Sequence, residues 1–189
     1  METPRLATER THSDSEAGGA TLVAETETLV VPLESHSQDR GLRRALVGLA
    51  TVDGHERWRT DGIQTAPVND ESTVYGAEIG NMGGSSTVFA LSAIDGNERC
   101  RFTKPGRPKT WSSLSAVHGT VFASFTERTG GGDVKDDDST LYAVDADGTE
   151  QWRFTRSCEG FSRVVVSGGT AYVASRYGDS TLYALASET

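Results

Sequence analysis

Few residues in this sequence have the type and spacing that chemistry requires. Residues 133–138 form an acidic run whose carboxylates could bind a hard cation such as Ca²⁺. The run lacks the sixth-position glycine and the distal glutamate of an EF-hand loop, so we interpret it as a solvated loop. The preceding glycines, residues 130–132, are not followed by the Lys-Ser/Thr pair of a phosphate-binding loop.

The cysteines, histidines and serines also lack the arrangements found in active sites. The two cysteines, Cys100 and Cys158, form neither a CxxC pair nor a disulfide framework. No Gly-x-Ser-x-Gly segment is present to hold a nucleophilic serine. The four histidines are dispersed without metal-ligand spacing, at His12, His36, His55 and His118. We therefore predict no catalytic, cofactor-binding or metal-ligating residues, which favours a protein that is not an enzyme.

Composition excludes further classes of function. The formal charge is −9, and a nucleic-acid-binding surface needs a basic face, so we expect no nucleic-acid partner. Three of the 18 basic residues are lysines, and this acidic, lysine-poor balance is typical of a halophilic protein or of an ordinary acidic one. No apolar run reaches the length of a membrane span. The N-terminus lacks a signal-peptide pattern, which predicts a cytoplasmic protein, or an extracellular one if the sequence is N-terminally truncated.

The most informative pattern is a repeated β-hairpin. Residues 139–154 read as an apolar strand, a tight Asp-Gly turn and a second strand. Related segments occupy residues 45–60 and 87–102, and a shorter copy occupies residues 180–189. A repeat of fixed period is typical of propellers and solenoids.

A second type of hairpin precedes each of these segments, with β-branched strands around a polar or glycine-containing turn. Its four copies span residues 21–34, 66–79, 114–127 and 164–177. Four strands in every ~40–50 residues predict the blade of a β-propeller. We therefore predict an all-β propeller of four-stranded antiparallel blades over residues 20–189, with about four blades and the last one incomplete. Residues 1–19 are predicted to be a flexible polar tail.

Three kinds of residue recur at fixed places in the hairpins of residues 45–60, 87–102 and 139–154. The first strand carries a small residue, the turn carries a glycine, and a tryptophan or cysteine follows that glycine by four residues. Glycine suits the turn because it adopts positive φ at little cost, and the small residue leaves room for a flat ring. We predict a structural docking role for the small residues Gly48, Ala90, Ala143 and Ala184, the turn glycines Gly54, Gly96 and Gly148, and the docking residues Trp58, Cys100 and Trp152.

This spacing resembles the tryptophan docking motif, Ala-x-Asp-x-x-Thr-Gly-x-x-x-Trp, of the PQQ-like β-propeller repeats named for the quinoprotein alcohol dehydrogenases. In this sequence aspartate replaces the threonine, and Cys100 replaces one tryptophan. The resemblance implies that each docking residue wedges between a small residue and the glycine turn of the adjacent blade. Because tryptophan buries more apolar surface than cysteine, we expect Cys100→Trp to leave stability unchanged or to raise it.

The quinoprotein dehydrogenases of this family use a disulfide between adjacent cysteines, an aspartate base and a calcium ion around their cofactor. This sequence has no adjacent cysteines, so we predict no bound PQQ and no other cofactor. The pattern favours a noncatalytic scaffold that mediates protein or ligand interaction. Two alternatives stay open: a fragment or half of a quinoprotein-like, PQQ-dependent oxidoreductase, and a degenerate partial copy of a longer propeller.

The sequence leaves the closure of the ring open. Four blades can form a small closed ring, or an open arc with two exposed blade faces and an unpaired strand edge. Residues 4–11 could add the missing strand to the last blade, or two arcs could combine into one larger ring. We therefore expect a protein partner, or self-association, through the open blade faces.

Overall fold

The computed structural model shows an all-β fold in which four antiparallel sheets follow one another along the chain, as the repeats predicted. The structure describes residues 15–17, 19–37, 41–78, 85–104, 108–128, 137–158, 160–176 and 181–186. Within these ranges there is no α-helix, and the segment Ala24–Thr26 forms a single 3₁₀ turn. Each sheet is one blade of the propeller.

Each blade is built from strands that are consecutive in sequence. The strands of blade 1 are β1 (Ser15–Ala17), β2 (Thr21–Val23), β3 (Thr28–Ser37), β4 (Gly41–Ala50) and β5 (Glu56–Asp61); those of blade 2 are β6 (Val68–Asp70), β7 (Thr73–Glu78), β8 (Ser86–Ser92) and β9 (Glu98–Lys104); those of blade 3 are β10 (Pro108–Val117), β11 (Thr120–Arg128), β12 (Asp137–Asp145) and β13 (Glu150–Ser157); and those of blade 4 are β14 (Val165–Ser167), β15 (Thr170–Ala174) and β16 (Leu182–Ala186).

The two ends of the chain differ from the central blades. β1 lies inside the segment predicted to be a tail, but it pairs with residues 33–35 of β3, so the first sheet begins before residue 20. Residues 1–14, including the segment 4–11 considered as an edge strand, lie outside the described residues. Blade 4 has three described strands, in agreement with the predicted incomplete last blade.

The last two strands of blades 1, 2 and 3 share one register. In each blade the small residue pairs with the docking residue, and a β-bulge follows directly. The three pairs are Gly48 with Trp58, Ala90 with Cys100, and Ala143 with Trp152. The repeat therefore places equivalent side chains at equivalent points of successive sheets.

The turn between these strands is shorter in blade 3. The Gly96 N–H donates to the carbonyl of Ser92, four residues earlier, and the Gly54 turn has the same geometry. The Gly148 N–H instead donates to Asp145, three residues earlier. All three glycines have φ between 70° and 82°, which is a favourable conformation for glycine alone. The sequence difference of one residue thus becomes a tighter turn.

Apolar clusters fill the three junctions between consecutive blades. Neighbouring residues of β12 face different clusters: Leu141 packs between blades 3 and 4, whereas Tyr142 packs between blades 2 and 3. Tyr142 and Phe125 stack there with ring centroids 5.2 Å apart. Because both faces of a central blade are buried, its strands are apolar at successive positions. Among the described residues, none of these clusters joins blade 4 to blade 1.

Candidate functional site

Trp58 lies between two glycines at the junction of blades 1 and 2. A Cβ atom at Gly48 would lie 2.2 Å from Trp58 Cε2, and one at Gly96 would lie 2.7 Å from Trp58 Cδ2. The indole N–H donates to the carbonyl of Ala93 in blade 2, at 2.9 Å, and the side chain is 6% exposed. Gly48 and Gly96 leave room for the ring, and the indole hydrogen bond satisfies its one polar atom.

Cys100 makes a different contact at the junction of blades 2 and 3. Its thiol donates to the carbonyl of Ala146 at 3.0 Å. The short turn lies close to the strand, because a Cβ atom at Gly148 would lie 2.7 Å from the carbonyl oxygen of Arg101. Backbone therefore occupies space that a ring fills at the preceding junction.

The same surroundings make Cys100 a poor nucleophile. Burial raises the pKa of the Cys100 thiol, and the carboxylates of Asp147, Asp145 and Glu98 raise it further. The thiolate is the reactive form of cysteine, so a raised pKa lowers reactivity. Cys158 lies in the junction between blades 3 and 4, and neither cysteine forms a disulfide.

The close approach of the Gly148 turn reverses the expectation for Cys100→Trp. An indole at this position must displace backbone, so we expect the variant to be less stable than wild type by about 1–3 kcal/mol, the usual cost of overpacking. Urea denaturation followed by circular dichroism measures this difference. Cys100→Ser, which keeps a donor for Ala146, is the matched control, and a Cys100→Trp protein as stable as wild type would show that the turn moves freely.

The remaining predicted docking residues are not brought together in this way. Trp152 is half-buried and packs against Phe122, with ring centroids 5.9 Å apart. Ala184 is exposed on β16, and the turn that would follow it lies outside the described residues. The Gly54 turn carries Val52, which is 81% exposed.

An ion pair that we did not predict recurs on the last strand of blades 1, 2 and 3. The arginine after each docking residue pairs with the glutamate three residues earlier. The pairs are Arg59 with Glu56, Arg101 with Glu98, and Arg153 with Glu150. The signal was present in the sequence as the repeated pattern Glu-x-(Trp/Cys)-Arg. Exposed pairs of this kind add little stability. They give the outermost strands of blades 1, 2 and 3 the same pair of opposite charges.

Blade 4 exposes a face that is buried in the other blades. We call the face that a blade turns toward the next blade its forward face, and the opposite one its backward face. Tyr172 pairs with Ala184 and is 38% exposed, whereas its counterparts, which pair with the other small residues, are at most 6% exposed. These counterparts are Val30, Tyr75 and Phe122.

A second position on this strand pair shows the same contrast. Leu182 is 69% exposed, whereas its counterparts two residues before the small residue are at most 3% exposed. These counterparts are Leu46, Val88 and Leu141. On the backward face of blade 1, Leu22 is 56% exposed, and it points away from Val23, which packs against blade 2. We call the forward face of blade 4 and the backward face of blade 1 the end faces.

A pocket of about 420 Å³ opens where β2, β6, β10 and β14 meet. Each blade gives it one polar side chain, namely Thr21, Asn69, Ser115 and Arg163. Thr21 donates to Asn69 at 2.5 Å, and Ser115 accepts the Val164 N–H at 3.0 Å. These groups therefore tie neighbouring blades together around the axis. Arg163 is exposed at this pocket and forms no ion pair with the described residues.

Within the described ranges, no group of three histidine, cysteine, aspartate or glutamate residues is arranged to hold a metal ion. Most of the acidic run considered as a cation site, residues 133–136, lies outside them. None of the described helical segments has the length and apolar character that a bilayer crossing needs.

No family model and no curated protein matches this chain. Solved structures with the same fold do match it. An acylaminoacyl peptidase in complex with Z-Gly-Gly-Phe-chloromethyl ketone aligns with a TM-score of 0.66 at 10% identity, over 92% of this chain and 33% of that one. The chain therefore spans about a third of the length of that peptidase.

Two further structures match over more of their own length. The computationally designed Ika4 protein aligns with a TM-score of 0.68 at 12% identity, over 98% of this chain and 99% of that one. The β-propeller domain of the Trilobed protease from Pyrococcus furiosus, which has an open velcro topology, aligns with a TM-score of 0.63 at 10% identity, over 95% of this chain and 59% of that one. At these identities the likeness concerns the fold alone, and that fold is a β-propeller.

Proposed function

We propose that this chain is a noncatalytic β-propeller scaffold of the PQQ-like repeat type, which binds protein partners through its end faces. The position of Trp58 between Gly48 and Gly96 supports the repeat type, because it is the contact that the docking motif implies. The likeness to a peptidase adds no activity, since one fold carries many functions.

The observation that carries the proposal is the exposed apolar surface of blade 4. Tyr172 and Leu182 are exposed, whereas the equivalent residues of blades 1, 2 and 3 are buried against the next blade. Among the described residues, no blade covers these two side chains. Contiguous apolar surface on a protein marks an interaction site. Val165 belongs to the same face, pairs with Tyr172 and is 64% exposed.

A second copy of the chain is the partner with a matching surface. Every internal junction packs the forward face of one blade on the backward face of the next. The end faces are the two halves of one more such junction. Because one half cannot pack on itself, two copies would associate head to tail, and the contact closes into a ring when the rotation permits.

Charging the forward face of blade 4 is expected to abolish this association. A carboxylate buried against an apolar surface without a partner is strongly unfavourable. Light scattering on the eluting full chain should give the mass of two chains for wild type and of one chain for Tyr172→Glu/Leu182→Glu. Ile94→Glu is the matched control, because Ile94 is 60% exposed on a turn outside the end faces, and it should keep the wild-type mass.

A wild-type mass of one chain at the highest soluble concentration would contradict self-association. Equal loss of mass in the Ile94→Glu control would contradict the role of the end face. The same preparation tests the degenerate-copy alternative, which predicts an insoluble chain. The quinoprotein alternative requires adjacent cysteines, and Cys100 and Cys158 lie at different junctions, so no observation favours it.

A further inference from the structure

Among the described residues, the last strand of blade 4 has one unpaired edge. In blades 1, 2 and 3 the corresponding edge is paired with a further strand. In blades 1, 2 and 3 an outermost strand pairs with β4, β8 and β12, respectively, whereas their counterpart in blade 4, β16, pairs only with β15 among the described residues. A free edge presents unpaired N–H and C=O groups that can pair with another chain. The edge of β16 is therefore a place where a strand can be added.

The complete blades show how such a strand would lie. Ala184 is equivalent to Ala143, because Ala143 pairs with Phe122 as Ala184 pairs with Tyr172. In each complete blade the residue opposite the small residue is the docking residue, and the pairing is antiparallel. An added strand in this register places a docking residue opposite Ala184.

The complete blades also show which chemistry the strand needs. Their outermost strands contain the pattern Glu-x-(Trp/Cys)-Arg, with the glutamate and arginine paired on the exposed side. Where the docking residue is Trp58, its ring lies so close to Gly48 that a Cβ atom there would overlap it. Ala184 is small and exposed, so it leaves the surface open for an indole.

We propose that the β16 edge binds an extended segment of a partner protein with the pattern Glu-x-Trp-Arg, by antiparallel strand addition. The segment's backbone pairs with β16, and its tryptophan lies over Ala184 beside Tyr172. Main-chain hydrogen bonds give affinity in such complexes, and alternate side chains give specificity. This inference rests on the proposed scaffold function and assigns a second surface to it.

The test uses a labelled peptide with the sequence of residues 149–157, TEQWRFTRS, titrated with the full chain and followed by fluorescence anisotropy. We expect saturable binding that weakens by about tenfold or more when the peptide tryptophan is replaced by alanine, as for a buried aromatic anchor. N-methylation of the backbone amides that face β16 should abolish binding, whereas N-methylation of the alternate amides should preserve it.

The protein variant Ala184→Leu is expected to weaken binding by about tenfold or more, because its side chain occupies the place of the indole. Ala186→Leu is the matched control, since Ala186 is exposed on the same face of the same strand but is not opposite the tryptophan. Both residues are exposed, so folding should be retained, and circular dichroism checks this. Ala186→Leu should bind the peptide as wild type does.

Three outcomes would overturn the inference. The first is absence of binding, and the second is equal binding by wild type and Ala184→Leu. The third is binding that requires removal of residues 1–14, because the chain itself would then fill the edge. A monomer that binds the peptide contradicts only the end-face association, and a dimer that does not bind it contradicts only the strand addition.

Discussion

Replacing Trp58 with alanine is expected to lower the free energy of unfolding by about 3–5 kcal/mol, the range for large aromatic residues in cores. Trp58 is the largest side chain in the cluster between blades 1 and 2, and its ring contacts Gly48 and Gly96 on both sides. Its removal leaves a cavity and also leaves the carbonyl of Ala93 without its donor. Urea denaturation with linear extrapolation measures the difference.

Trp152→Ala is the matched control for this variant. Trp152 has the same place in the repeat, but it is half-buried and has no described glycine turn packed on it. The smaller loss of buried surface should give a clearly smaller change in unfolding free energy. Equal losses for the two variants would mean that the glycine contacts add nothing to the stability of the junction.

Gly48→Ala is expected to destabilise the protein by about 1–3 kcal/mol, although it adds a single methyl group. The new Cβ would lie 2.2 Å from a rigid indole that is held on its other side by the turn of blade 2. Either the ring or a β-strand must move. The same denaturation experiment measures the loss, and Gly19→Ala serves as control because its Cβ would meet ordinary contact distances, with Ala66 at 3.9 Å.

A double-mutant cycle separates this clash from a general effect of the substitution. With Trp58 already replaced by alanine, Gly48→Ala has nothing to collide with, so most of its cost should vanish. Additive losses in the double variant would place the strain elsewhere in β4. The cycle therefore tests the contact itself, which neither single variant does alone.

Much of this fold could be predicted from the sequence because the repeat is local. The apolar strands and glycine turns lie within segments of about 16 residues, and local pairing of such segments builds a blade. The small residue and the turn glycine recur with Trp58 at the same spacing, and Gly48 and Gly96 lie against its ring in the structure.

The contacts at Cys100 could not be predicted in the same way. One residue fewer in the turn of blade 3 moves backbone toward Arg101, and comparison of the repeats shows the deletion but not the direction of the movement. The exposure of Tyr172 and Leu182 could not be predicted from the sequence either, because it depends on whether blade 4 packs against another blade. The axial pocket depends on β2, β6, β10 and β14 together, which belong to four different blades.

The exchange of an indole for a thiol between two neighbouring junctions has a consequence for the curvature of the whole assembly. Contacts among β2, β6, β10 and β14 hold the blades together near the axis, while the docking residues lie between the blades near the rim. A large side chain between two sheets at the rim increases the angle between them, and a small one allows a smaller angle. At the junction of blades 2 and 3 the backbone of the Gly148 turn approaches the strand that carries the thiol, so the distance between two sheets at the rim depends on the docking residue together with the turn that packs on it.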